Sequence, residues 1–193
     1  MAITITHNAP ASGPLTIMRA LGDLNPSTDR LGGARIDISA PLGLYRLGLD
    51  DIDSEHSFGH ALFVGWRYLL EGGGHGVGAA DVVPSEGGQA RFTSLARNEQ
   101  ADFLLRAAHV AEEIASGLSG DCEARILIVP SLYVSALWLT ADPPVFIPFL
   151  DPLRPIRTVE DVAVRPDFTR DLLARAKVAR DRRPEREIGM PSP

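Results

Sequence analysis

Apolar positions between residues 36 and 150 fall in short runs separated by glycine, proline and acidic turns, the signature of strands joined by tight connections. Tyr45, Leu47 and Leu49 alternate with polar or small neighbours in the segment 43–49. The run 61–70 is rich in aromatics, and Gly65 together with the glycines after Glu71 argues for a strand rather than a helix. That strand places Trp66 and Tyr68 on one face and Arg67 on the other. Gly72 to Gly78 reads as the reversal, 80–83 as the returning strand and 90–95 as a short further strand. Residues 124–129 form a nearly continuous apolar strand stopped by Pro130, whereas Leu132–Leu139 fits either a strand or two helical turns. Val145–Ile147 is expected at a sheet edge, because Pro148 has no N–H to give a ladder.

The clearest helical periodicity runs from Asn98 to about Gly117, with Asn98 as N-cap and Phe103, Ala107, Val110, Ile114 and Leu118 in one row. Leu15–Leu21 suits two helical turns after Pro14, and a longer helix is expected from Asp167 or Thr169 to about Arg183. Its apolar face is thin: Phe168, Leu172, Leu173, Ala176 and Ala179. Thr158 to Asp161 resembles a capping box, with Asp in place of Glu. Ile3 and Ile5 alternate with threonines as in a short edge strand. The expected architecture is α+β: a mainly antiparallel, curled sheet of about five or six strands packed by one long amphipathic helix. Residues 1–35 are expected to form an N-terminal arm, 36–152 the core domain, and 153–193 a linker and C-terminal basic helical tail.

Composition changes this picture little, and charge changes it more. The chain has 193 residues, 45% hydrophobic and 23% charged, with mean hydropathy +0.02, which excludes collagen-like and disorder-dominated classes. No apolar run approaches the roughly 20 residues of a spanning helix, so no membrane span is expected. Residues 1–152 carry 9 basic and 18 acidic side chains and residues 153–193 carry 10 and 7, so the net −6 divides into −9 and +3. An acidic body without a basic aromatic stripe argues against nucleic-acid binding through the core. The basic tail suits an acidic partner, an anionic surface or a neighbouring copy of the chain. A single cysteine, Cys122, cannot form an internal disulfide, which fits a cytoplasmic location.

Candidate chemistry is sparse. His56 and His60 share a helical face if that segment is helical, and then make half of a metal site; in an extended segment they lie about 13 Å apart. Asp51-x-Asp53-x-Glu55 opens like a calcium loop, but Leu62 stands where the bidentate Glu belongs. Gly74-His75-Gly76-Val77-Gly78-Ala79 fits a loose dinucleotide pattern, yet a strand rather than a helix follows it. Cys122 sits between Asp121 and Glu123, a poor setting for a thiolate. His109 is expected on the helix surface beside Glu113. The primary expectation is therefore a non-enzymatic interaction or assembly subunit acting through its terminal arms, with a protein partner or self-association and no cofactor. Trp66, Arg67, Tyr68, Arg175 and Arg180 are the candidate ligand or partner contacts. The alternative is a small-ligand or metal-dependent enzyme with a cavity between helix and sheet, using His56, His60 or His75 and nearby carboxylates.

Overall fold

The structure, a computed structural model, describes residues 9–24, 36–96, 100–117 and 122–182. In chain order the elements are α1 (Gly13–Leu24), β1 (Asp37–Ile38), β2 (Leu42–Arg46), β3 (Leu62–Gly72), β4 (His75–Pro84), β5 (Ala90–Ala96), α2 (Gln100–Ala115), β6 (Ala124–Val129), β7 (Val134–Leu139), β8 (Val145–Leu150) and α3 (Phe168–Asp181). The strands form one eight-stranded sheet in the order β5-β4-β3-β2-β6-β7-β8, with β1 paired to β3. All pairs are antiparallel except β2 with β6, which runs parallel with Tyr45 opposite Leu127. The α+β class is as expected, but the sheet is larger and mixed. A sheet of about five or six curled strands under one helix is corrected to eight strands with helices on both faces. The reason lies in β7, where every residue is buried: a strand buried on both sides needs a layer on each.

The hairpins follow from local chemistry. Gly73 and Gly74, at φ 62° and 82°, are the two residues between paired Gly72 and His75, the left-handed geometry of a tight type I′ turn. Two residues on, Gly76 lets the strand lie directly against the Ala101 backbone at the start of α2, and its N–H donates to Asp102 Oδ1 at 2.8 Å. The segment 132–139 resolves into a 3₁₀ turn, Pro130–Leu132, then β7. β8 lies at the end of the strand order, with Pro148 beside a register shift opposite Ala136. The expected Ile3–Ile5 strand and the Asn98 cap lie outside the described residues.

Three apolar clusters hold the layers together. α2 buries Leu104, Ala107, Ala111 and Ala115 against Leu44, Leu69, Ile126, Leu137 and Ile147 on one face of the sheet. On the opposite face α1 sets Ile17 and Leu21 on Trp66, Tyr68, Ala80 and Val82. Further along that face, α3 and the segment after β2 cover β6 to β8, joining Phe168, Leu172 and Ala176 to Leu47, Phe58, Leu127 and Trp138. The described part of the basic tail thus packs as a layer of the fold. Its thin apolar row suffices because polar bonds supplement it: Arg180 Nη1 donates to the carbonyls of Leu49 and Ile52 at 2.8 and 2.7 Å.

Carboxylates fasten the approach to α3. The Thr158–Asp161 capping box is present, and the N–H groups of Arg157 and Thr158 hold Asp161 below the usual carboxylate range. The hydrogen bond from Arg154 does the same for Asp167, and those of Ser54 and Ser57 for Asp53. A lowered folded-state pKa gives stability that is present above the unfolded-state value and lost as pH falls through the folded one. The melting temperature is therefore expected to fall on acidification below about pH 4. A melting temperature that holds or rises over that interval contradicts these assignments.

Candidate functional site

Most residues singled out by sequence are packed or paired within the fold. Trp66 and Tyr68 share a face as expected and are covered by α1; burial pushes the Tyr68 phenol pKa up. Arg67 makes two bonds to Asp81, opposite it on β4, at 2.7 and 2.8 Å, and Ser94 donates to the same carboxylate. Arg175 is enclosed between Asp151 and Asp171, at 2.7 and 2.6 Å. Burial works against its charge, but the bonds and charges of these two carboxylates prevail and raise its pKa. Arg180 is engaged with the carbonyls described above. The four basic groups Arg67, Arg154, Arg175 and Arg180 are thus committed to intramolecular partners.

The histidines are spread apart in character. His56 and His60 flank the buried Ser57 and Phe58 on one 3₁₀ turn, Ser57–His60, and both are exposed. Ser57 Oγ accepts the N–H groups of Asp53 and Ser54, each at 2.9 Å, so the acidic segment is an ordered turn built on a serine. His75 stands at the β3–β4 hairpin, 3.9 Å from Asp102. His109 is exposed on α2, where Glu113 lies 3.8 Å from Arg106. Among the described residues no three His, Cys, Asp or Glu side chains are grouped to hold a metal ion. A cavity of about 550 Å³ does lie between α2 and the end of β8, lined by Gln100, Phe103, Phe149, Asp151 and Ile156, but by no histidine.

Two other places bring chemistry together. The first is the outer side of α3. Tyr133, between the 3₁₀ turn and β7, has φ 53° and ψ 35°, a left-handed conformation unusual for an aromatic residue, and is 74% exposed. Its chain neighbour Leu132 lines a groove of about 500 Å³ together with Leu153, Ala174, Arg175, Val178, Ala179 and Arg182. Leu153 and Val178 are 70% and 47% exposed. Lys177 on α3 and Arg182 just after its end are exposed.

The second is an aromatic cleft of about 470 Å³ at the α3-side face of the sheet, lined by Tyr45, Phe58, Ala61, Arg125, Trp138, Thr140 and Pro144. Register explains it: Arg125 on β6 is directly opposite Trp138 on β7, and Tyr45 lies on the neighbouring strand β2. The guanidinium carbon sits 4.7 Å from the Tyr45 ring centroid and 5.2 Å from that of Trp138. Nε and Nη2 both donate to Glu123 Oε2, at 2.9 and 2.6 Å. The Glu123 backbone is itself paired with Thr140. Phe63 meets Tyr45 edge-on, and Phe58 and Phe146 flank Trp138. Burial raises the Tyr45 pKa against the pull of Arg125, so the phenol keeps its proton at neutral pH.

Sequence reading passed over Arg125, although a charged residue inside the apolar run 124–129, two residues after Glu123, is a visible signal. Nothing local marks Tyr133, Leu153 and Val178 as one surface. No protein-family model, curated protein or solved structure matches the chain.

Proposed function

We propose that the chain is a non-enzymatic assembly subunit that associates with a second copy of itself through the outer side of α3. The observation carrying this reading is Tyr133: a large ring held exposed in a left-handed conformation beside an apolar groove. Strained backbone persists where surrounding structure enforces it, and such positions concentrate at binding surfaces. A two-fold interface brings the same patch from both copies together, and a projecting ring next to a groove is the shape such a patch needs. Tyrosine is also among the residue types enriched where interface energy concentrates.

The test is sedimentation velocity on the wild type and on Leu153→Asp with Val178→Asp, both at exposed positions where the substitution leaves the core intact. The wild type is expected to sediment as a dimer and the double variant as a monomer that still unfolds cooperatively. A wild type that stays monomeric over a wide concentration range, or a variant that dimerises equally well, overturns the reading.

A further inference from the structure

We propose that the aromatic cleft between β2, β6, β7 and the Ser57–His60 turn is a binding site for a small planar aromatic carboxylate. This site is separate from the α3 surface and does not depend on it.

Its walls and its donors set the ligand chemistry. Tyr45, Phe58 and Trp138 supply three ring surfaces, which favours an aromatic guest packed edge-on or offset. The polar groups left over are donors. Nη1 of Arg125 has no acceptor among the described residues, its Nε and Nη2 being engaged by Glu123. Among the described residues Tyr45 makes ring contacts but no hydrogen bond through its hydroxyl, which stays protonated. Donors at the mouth of a cleft are matched by a guest that brings acceptor oxygens. A carboxylate does this best, because guanidinium bonds to an ionised acceptor are the strong ones.

The arrangement is also pre-organised. Glu123 grips one edge of the guanidinium and the Tyr45 and Trp138 rings both lie against it, so Arg125 has little freedom left to lose on binding. A cationic guest meets that guanidinium, and the Glu123 oxygen nearest it already accepts two bonds from Arg125. The volume of about 470 Å³ lies within the range of small-ligand sites and suits one or two fused rings.

The experiment is isothermal titration of the full chain with benzoate and 2-naphthoate, against 2-naphthalenemethanol as neutral aromatic and hexanoate as aliphatic acid. Saturable binding of an aromatic acid is expected, with both controls at least about tenfold weaker. Arg125→Gln is expected to weaken binding of the acid by about tenfold or more, and Tyr45→Phe, which removes one hydroxyl and keeps the ring, by a few-fold. Cooperative melting of each variant checks the fold; if Arg125→Gln does not fold, ligand selectivity and Tyr45→Phe decide. No saturable binding by either aromatic acid, hexanoate binding as tightly as naphthoate, or unchanged affinity in the folded variants overturns the assignment.

Discussion

Replacing Asp151 by alanine is expected to lower the unfolding free energy by about 3–5 kcal/mol, the range for removing one partner of a buried ion pair. Asp151 closes β8 and is 5% exposed. Oδ1 accepts from Arg175 Nη1 at 2.7 Å and from the N–H groups of Leu153 and Arg154 at 3.0 and 3.3 Å. Oδ2 accepts from Arg175 Nη2 at 3.1 Å. Alanine deprives two backbone donors of their acceptor and leaves an enclosed guanidinium with Asp171 alone. The loss falls where the chain turns from the sheet towards α3, so α3 is expected to loosen first. Urea unfolding measures the total, and amide exchange in α3 relative to α2 locates it. A loss below about 1 kcal/mol, the scale of exposed pairs, contradicts the description of this pair as buried and enclosed.

Trp138→Ala is expected to be comparably damaging, at about 3–5 kcal/mol for an emptied aromatic site. The indole is in contact with Tyr45 at 6.0 Å between centroids, with Phe58 at 6.0 Å and with Phe146 at 6.2 Å, and these rings cannot all collapse into the space it leaves. Phe146 in turn stacks on Phe168 at 4.7 Å, so the cavity opens under α3. Because Nε1 has no acceptor, the loss is one of packing. Trp138→Phe therefore removes ring area but also an unsatisfied donor, and is expected to cost no more than about 1.5 kcal/mol. Equal losses in the two variants, read by the urea midpoint, show that the indole N–H has an acceptor after all.

How much of this was readable in advance depends on the range of each interaction. The β3–β4 hairpin was evident because Gly73 and Gly74 dictate the turn locally. α2 followed from its 3.6-residue period, and the Thr158–Asp161 cap from its spacing. The parallel pairing of β2 with β6 left no local trace, since three strands and a helix lie between them in the chain. The docking of α3 was hidden for the same reason. Phe168, Leu172 and Ala176 make a thin stripe by themselves, and only the fold supplies Leu47, Phe58 and Trp138 opposite them. Arg175 and Arg180 looked like outward cations because Asp151 and the Leu49 and Ile52 carbonyls are remote in sequence. The charge asymmetry remains, with several of its basic groups engaged inside the molecule.

The aromatic residues divide in the same way. Trp66 and Tyr68 were expected to share a face, and they do, under a helix that gives them a packing role. Tyr133 and Trp138 belong to one apolar run, yet one is 74% exposed and the other 7%. The left-handed turn at Tyr133 separates them, and no periodicity in the run 132–139 announces it.

The most direct measurement of the assembly is the melting temperature as a function of protein concentration, for the wild type beside Leu153→Asp with Val178→Asp. Folding coupled to association makes the melting temperature rise with concentration, whereas a monomer melts at one temperature throughout. The account predicts a rising wild-type curve and a flat curve for the variant. A flat wild-type curve that coincides with that of the variant contradicts it.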